Sequence, residues 1–374
     1  MKKIGILGGG QLGRMLLQAA ANYAVETYVL ENDEHCPSAH LCTHFVKGNL
    51  QNYDEVLAFG KLVDVLTIEI EHVNVEALEA LEQQGVQVIP SAAAIRTIQN
   101  KILQKQLYTA HGIPTADYLI TQTAEELTQH QAFLPAVHKL AKGGYDGKGV
   151  QVLNNQESLT QAFNEPAVLE KKVAIQQELA LIVAVSTQGE TAVYPLSEMV
   201  FNPYLNLLDF QISPARVSQE VLWKAEAIAI KVVKALKSPG LFAVELFVDA
   251  NNEVLVNEVA PRVHNSGHHS IEGNACSQFD MLLRILLHYP LGNTQSLSAS
   301  CLVNILGAPN HAGPAVYQGL EDVLKMDGVY VHLYGKTHTK PGRKMGHITI
   351  LDKDRTALIH KANKVKDFLK VITQ

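Results

Sequence analysis

One hairpin constrains this chain more than any other stretch. From Gly240 the sequence reads GLFAVELFVDANNEVLVNEVAP, in which 241–249 and 253–259 are strand-like runs around a polar turn at Asn251 and Asn252. A two-residue loop there sets Ala250 opposite Glu253 and, counting back, Glu245 opposite Glu258. Two carboxylates facing each other on one sheet face repel, and each has apolar neighbours among which an uncompensated charge is costly. A divalent cation between them removes the conflict, and hard oxygen ligands suit Mg²⁺, with Mn²⁺ as a substitute. The plainer alternative is a pair of glutamates at strand ends that reach water. The residues that follow, Arg262, His264, Asn265 and Ser266, are of types that bind anions.

The first residues pose a second question about anions. A buried strand, 3–7, runs into Gly8-Gly9-Gly10-Gln11-Leu12-Gly13, then a helix over 14–23 and a strand over 26–30 that ends at Glu31. That satisfies G-x-G-x-x-G with an acidic residue eighteen positions after Gly13, the pattern of an NAD site. The physics is less specific: a tight turn delivers N–H groups and a helix N-terminus to an anion, and a phosphate monoester serves as well as a pyrophosphate. Helix 53–59, strand 63–70, helix 75–84 and strand 86–89 continue the alternation. Glu69 and Glu71 fall at the carboxyl edge of the expected parallel sheet, where ligands bind in open α/β folds, or else form an acidic loop cap. Ser91 is an N-cap for a helix over 92–99, and a helix over 101–111 follows.

From 114 the pattern changes to strands at 118–121, 136–140, 151–153, 167–170 and 175–186, with helices at 124–131 and 157–163. Between the second and third strands lies Lys142-Gly143-Gly144-Tyr145-Asp146-Gly147-Lys148-Gly149, a glycine-rich flap that can lay N–H groups and positive charge over phosphates, or a plain flexible hairpin. It lacks Walker A spacing, and a strand follows it. Lys139 sits in the apolar strand run PAVHKL, where a lysine needs an anionic partner. Glu170 and Lys171 end one strand, and Glu178 interrupts the next. The helix at 218–236 has its apolar positions at helical spacing and reads as core. Beyond a helix at 278–288 come strands at 301–306, 329–333 and 347–351 and a final helix at 357–371. Between the last two strands a loop carries Lys336, Lys340, Arg343 and Lys344, which suit a phosphorylated or carboxylated ligand, or form a solvated basic loop.

A formal charge of −6 gives no reason to expect nucleic acid or an anionic membrane as partner. No apolar run approaches the ~20 residues of a membrane span, and no signal peptide is expected, because glycine interrupts the N-terminal apolar run after four residues. Cys36, Cys42, Cys276 and Cys301 show no zinc-type spacing and fit free thiols in a reducing cytoplasm.

GGGQLGRM, EIEHV, QKQ, GGYDGKG, FAVELFV, NEVAPRVHNSGH, SQFD and PGRKMGHI, in that order over nearly the whole chain, resemble the N5-carboxyaminoimidazole ribonucleotide synthetases of the ATP-grasp superfamily. The resemblance implies an α/β chain, α+β in its central part. It divides into a Rossmann-like domain at 1–111, an ATP-grasp domain at 112–290 with its flap subdomain at about 112–187, and a small C-terminal domain at 291–374. It implies that Lys101, Lys139 and the flap Gly144, Tyr145, Asp146, Gly147, Lys148, Gly149 and Val150 hold the ATP phosphates. Glu170, Lys171 and Val173 would face adenine, Glu178 the ribose, and Glu245 and Glu258 would hold Mg²⁺ with Asn257 beside it. The ribonucleotide would meet Glu71, Tyr145, Asp146, Arg262, His264, Asn265, Lys336 and Arg343, with the backbone of Gln11 and Leu12 near its phosphate. The glycine motif is then a monophosphate site.

The implied reaction joins 5-aminoimidazole ribonucleotide, bicarbonate and ATP into the N5-carbamate, ADP and phosphate through carboxyphosphate. Tyr145, Asp146, Arg262 and His264 are its catalytic candidates, in a cytoplasmic homodimer. Val150 stands where glutamine is usual, Leu140-Ala141 where Thr-Arg is common, and Phe201 where a histidine is often seen. Three rivals stay open at this point: an NAD oxidoreductase built on the glycine motif, a non-catalytic nucleotide sensor, and a formyl-phosphate transferase of the same superfamily.

Overall fold

The computed structural model describes residues 1–144, 149–201 and 208–373. Tyr145, Asp146, Gly147 and Lys148 lie outside the described residues, as does the side chain of Phe201.

The N-terminal strands form a five-stranded parallel sheet in the order His44–Lys47, Val25–Glu31, Lys2–Leu7, Val65–Ile68, Gln87–Val88. The two central strands, Lys2–Leu7 over its last four residues and Val65–Ile68 throughout, are buried and read as near-continuous apolar runs. The helices between them start where a side chain can accept an orphan N–H: Asn52, Asn74, Ser91 and Asn100 accept from Glu55, Ala77, Ala94 and Ile102. The strand expected over 63–70 is only Val65–Ile68. Glu69 and Glu71 therefore emerge at its carboxyl end, as the pattern requires. The short edge strand His44–Lys47 carries no alternation and was not foreseen.

An antiparallel sheet fills the centre. Its order is Val254–Ala260, Gly240–Asp249, Ile175–Val185, Ser197–Phe201, Leu208–Ser213, Ser300–Leu306, Lys344–Leu351, Val329–Leu333, with Thr191–Val193 added on Ile175–Val185. The strands beyond 291 thus continue the same sheet. Ser218 caps the helix Gln219–Leu236, which packs Ala229, Val232 and Val233 against Phe242, Val244, Leu246 and Val248. Each such side chain contributes about 1.5–3 kcal/mol when fully buried. The other face of the same strand packs Leu241 and Ala243 with the N-terminal unit, so Glu245 continues that row out of the core. A second, four-stranded antiparallel sheet has the order Tyr118–Thr121, Ala167–Lys171, Ala136–Leu140, Val150–Leu153.

Two expected helices are corrected. Residues 157–163 form only a 3-10 turn, Gln156–Gln161, and 124–131 is likewise 3-10, Glu125–Phe133. The last helix, Arg355–Phe368, stops short of 371. Lys370–Ile372 pairs as a strand with Val316–Gln318, in keeping with the β-branched Val371 and Ile372. No described helix is long and apolar enough to cross a membrane.

Candidate active site

The hairpin reaches its glutamate pair by a route the sequence count did not foresee. The turn holds three residues rather than two: Asp249 N–H donates to Glu253 O at 3.0 Å, Asn252 N–H donates to Asp249 O at 3.0 Å, and Asn252 is left-handed at φ 61°. Val248 then faces Val254, Phe247 faces Leu255 and Leu246 faces Val256, one residue out of the expected register. A bulge at Asn257 takes up the difference and brings Glu245 opposite Glu258.

Around this pair the charges are unevenly met. Lys101 Nζ donates to Glu258 Oε2 at 2.5 Å, and Lys139 Nζ donates to Asn257 Oδ1 at 3.0 Å. The Lys101 charge holds the Glu258 carboxyl down to about 2, against the effect of burial. Among the described residues no lysine or arginine makes an ion pair with Glu245, which has a hydrogen bond from the Asn257 side chain. Burial, then the charges of Glu258 and Glu178, push it up to about 8. Burial also raises Glu178, on the neighbouring strand Ile175–Val185.

This donor set fits a divalent cation. Two adjacent carboxylates, one starved of positive charge, suit Mg²⁺, which takes one or two carboxylates and completes its shell with phosphates and water. No group of three or more His, Cys, Asp or Glu that could hold a metal occurs among the described residues, so the protein alone would not cage the ion.

Behind the pair sits a buried ion triad. Glu170 accepts from Lys139 at 2.9 Å and from Lys105 at 3.1 Å, and all three residues are buried. Burial alone would raise the Glu170 carboxyl, but Lys139 and Lys105 outweigh it and hold it low. Lys105 also donates to Thr115 Oγ1 at 2.6 Å, and burial pulls its ammonium down to about 8. The sequence reading met Lys105 only inside the QKQ string and gave it no role. It lies on the buried side of the helix Lys101–Ala110, with Gln104 and Tyr108. The Glu170 carboxylate is thus committed to lysines. Lys171 Nζ donates to Phe133 O and Leu134 O, at 2.9 and 3.1 Å, so the hinge can offer a nucleotide base its backbone but not these side chains. Val173, half-buried, follows directly.

On the other side of the pair, Arg262 makes an ion pair with Glu71 at 2.9 Å, joining the central sheet to the carboxyl edge of the N-terminal sheet. His264 Nδ1 accepts from Ser266 N–H at 3.3 Å and lies 2.9 Å from Ser266 Oγ. With Nδ1 accepting, the neutral ring carries its proton on Nε2, 3.8 Å from Glu245 Oε1. Asn265 opens the short 3-10 turn Asn265–Gly267.

The glycine motif is part of the same face. Lys336 Nζ donates to Gln11 Oε1 at 3.0 Å and to Lys344 O at 2.8 Å, and burial pulls its pKa to about 8. Leu12 N–H is engaged by Glu69 Oε1 at 3.1 Å, and Gly9 N–H by Glu31 Oε2 at 3.0 Å. Glu31, the residue a dinucleotide would need for its ribose, is therefore turned onto the glycine loop. Burial raises the Glu69 carboxyl, which caps the helix Gln11–Ala20 from within. Arg343 donates to His338 O at 2.7 Å, within its own loop. The structure thus gathers Lys101, Lys139, Glu245, Asn257 and Glu258 into one group. It links Gln11 to Lys336 and Glu71 to Arg262, and leaves Arg343 on its own loop.

These features define an ATP-grasp protein. Residues 106–279 match the ATP-grasp domain, residues 1–99 the ribonucleotide synthetase preATP-grasp domain, and residues 300–361 the phosphoribosylaminoimidazole carboxylase C-terminal domain. The N5-carboxyaminoimidazole ribonucleotide synthase of Synechococcus elongatus is 34% identical over 94% of this chain and 89% of its own length. The chloroplastic phosphoribosylaminoimidazole carboxylase of Vigna aconitifolia is 37% identical over 93% of this chain, which spans only 64% of that longer protein. The crystal structure of N5-carboxyaminoimidazole ribonucleotide synthetase from Thermotoga maritima superposes with a TM-score of 0.92 at 36% identity, covering all of both chains. The Aspergillus clavatus N5-carboxyaminoimidazole synthase, solved in complex with ADP and 5-aminoimidazole ribonucleotide, superposes at 0.88 with 35% identity over 98% of each chain. The chain belongs to the N5-carboxyaminoimidazole ribonucleotide synthetase family of ATP-grasp ligases.

Proposed function

We propose that this chain carboxylates the exocyclic amine of 5-aminoimidazole ribonucleotide with bicarbonate, using ATP and releasing ADP and phosphate, as a step of purine biosynthesis. The observation that carries the reading is the junction at Glu245 and Glu258. Lys101 and Lys139 stand on one side of it and the Arg262–Glu71 ion pair on the other, so a phosphate-binding group and a second binding face share one edge. The names of the relatives, and the ADP and ribonucleotide in the Aspergillus clavatus structure, support it.

In this reading Lys101 and Lys139 neutralise the ATP phosphates, while the flap, Gly144 to Val150 with Tyr145, Asp146, Gly147, Lys148 and Gly149, covers them. The hinge backbone at Glu170, Lys171 and Val173 meets adenine, and Glu178 the ribose hydroxyls. Glu245 and Glu258, with Asn257 beside them, would hold Mg²⁺ or Mn²⁺, which supplies positive charge between the phosphates when bound. Bicarbonate is a poor electrophile, and phosphorylation turns it into carboxyphosphate, which the ribonucleotide amine can meet as carboxyphosphate or as the CO₂ it releases. Arg262 holds the bicarbonate. His264, presenting Nε2–H, donates a hydrogen bond to developing negative charge, which leaves Asp146 to take the amine proton. Lys336 and Arg343, with the backbone of Gln11 and Leu12, take the ribonucleotide phosphate, and Glu71 and Asn265 complete that side. Leu12 N–H must then leave Glu69 or share it. The enzyme works in the cytoplasm as a homodimer, which sedimentation of the purified chain tests.

The test is ADP release. It should require both bicarbonate and 5-aminoimidazole ribonucleotide, and formate should not replace bicarbonate. With ¹⁸O-labelled bicarbonate, the inorganic phosphate should carry one label per turnover, because the bridging oxygen stays with phosphorus. Unlabelled phosphate beside newly formed carbamate would sink the carboxyphosphate route.

A further inference from the structure

The turn that carries Arg262, His264 and Asn265 has no regular ladder of its own, and side chains from elsewhere hold it: Gln211 Nε2 donates to Ser266 O further along, and Gln278 secures the residue at its centre. Gln278, fully buried at the start of the helix Gln278–Leu286, grips the main chain of His264 from both sides. Its Oε1 accepts from His264 N–H at 2.9 Å and its Nε2 donates to His264 O at 2.8 Å. The same Nε2 lies 3.1 Å from His268 Nδ1, and Gln278 N–H donates to Ser270 Oγ at 2.9 Å. The fit is close: a Cβ on Gly267 would stand 2.4 Å from Gln278 Oε1. His268 is itself wedged, its ring 5.8 Å from Phe279 and 4.7 Å from His347, which stacks on His332 at 4.4 Å. Nothing in the reaction requires a buried amide here. The four polar contacts all end on the turn Val263–Ser270 or on the histidine behind it.

We propose that Gln278 is the positioning residue of the ribonucleotide and bicarbonate side of the site. Its amide fixes the two peptide groups on either side of His264, and with them the direction of Nε2 and the placing of Arg262 and Asn265. The inference rests on the function proposed above. A carboxylate cannot replace the amide, because a site that must accept from one peptide group and donate to the next needs both ends of it. Losing one end leaves a buried main-chain group without a partner.

The experiment compares Gln278→Glu, Gln278→Asn and Gln278→Met with the wild type. Calorimetry measures ADP binding and 5-aminoimidazole ribonucleotide binding without turnover, and steady-state kinetics measures KM for each substrate. The expected result is a rise of tenfold or more in the dissociation constant and KM for the ribonucleotide in all three variants, with ADP affinity and the KM for ATP within about twofold. ADP released per carbamate formed should also rise, since bicarbonate is activated without the amine in place. Gln278→Glu should recover part of its ribonucleotide affinity at acidic pH, where a neutral carboxyl can again donate, and Gln278→Met should not. Unchanged ribonucleotide affinity in all three would overturn the proposal. So would equal loss of both ligands, or loss of the native melting transition throughout, because Gln278 would then be ordinary core. Failure of the wild type itself to bind the ribonucleotide would instead strike the proposed function.

Discussion

Among the described residues Glu245 makes no ion pair with a lysine or arginine, and its titration makes the consequence testable. The group goes from an ordinary value of 4.5 to about 8 on folding, so between those values the folded chain holds a proton that the unfolded chain has released. Its contribution to the stability of the metal-free protein should therefore fall as pH rises from about 4.5 to about 8, with Glu178 and Glu69, also raised by burial, acting in the same sense. Glu258, held near 2, acts in the opposite sense, and its contribution is lost only as pH falls from 4.5 toward 2, outside that window. A divalent cation relieves the Glu245 penalty, so Mg²⁺ should raise the melting temperature more at pH 8.5 than at pH 5, by ~2 °C or more. Glu245→Gln should flatten the slope and abolish the metal response. An equal metal response at both pH values would put the cation elsewhere. A second consequence concerns Lys336, whose ammonium titrates near 8 when no phosphate is present. The KM for the ribonucleotide should climb above pH 8 as that charge is lost, while Lys336→Arg should flatten the climb because guanidinium stays charged. Lys336→Ala should raise this KM at least tenfold and leave the KM for ATP nearly unchanged. Equal effects on both substrates would remove the basic loop from the site.

At the scale of elements, the hairpin shows how far residue patterns carry and where they stop. Composition located both strands, and the repulsion between two glutamates identified the pair. The turn and the bulge were not legible, because a three-residue loop closed by left-handed Asn252 and a two-residue loop have the same polar look. Both departures shift the register by one residue, in compensating directions, so the pairing came out as expected. The bulge also has a use. Asn257 and Glu258 share the place opposite Glu245, which lets one side chain meet Lys139 and the other Lys101. Asn257→Ala should then raise the KM for ATP several-fold with little effect on the KM for the ribonucleotide, measured in the same steady-state assay. Lys105 and Gln278 entered the sequence reading only inside the strings QKQ and SQFD, with no role, for a related reason. Each sits on the buried side of a helix, and only the tertiary partners, Glu170 for one and His264 for the other, give them a role. The glycine motif was legible as an anion cradle. That its N–H groups would meet Glu69 and Glu31 of the chain itself was not, since those partners come from the ends of two other strands.

The whole molecule differs in one respect from three domains placed side by side. The strands Ser300–Leu306, Lys344–Leu351 and Val329–Leu333 extend the central sheet, and the seam runs through a ladder in which Gln211 faces Leu302, Ile212 faces Cys301 and Ser213 faces Ser300. On one face of that seam Phe210 and Ile212 pack with Cys301, Val303, Ile348 and Ile350 under the helix Arg355–Phe368. On the other, the tilted ring contact of His268 with His347 and the bond from His332 to Glu272 tie the last strands to the segment behind the turn at 262–265. A chain cut after residue 290 would lose all of this together. It would bare an apolar face and a strand edge, the combination that invites aggregation. It would also leave the buried polar groups of His268 and Glu272 without their cover. The fragment 1–290 should therefore melt without a cooperative transition and elute from gel filtration as aggregate, although it contains the whole ATP-grasp match at 106–279. Lys336, which reaches Gln11 from the C-terminal part, goes with the removed segment, so on the proposed reading ribonucleotide binding should be lost with it. ADP binding is the discriminating measurement. A monomeric fragment with a sharp melt that still binds ADP would mean that the last strands are an appended domain. Loss of ADP binding together with the fold would mean that the seam is part of the core on which both halves of the site are built.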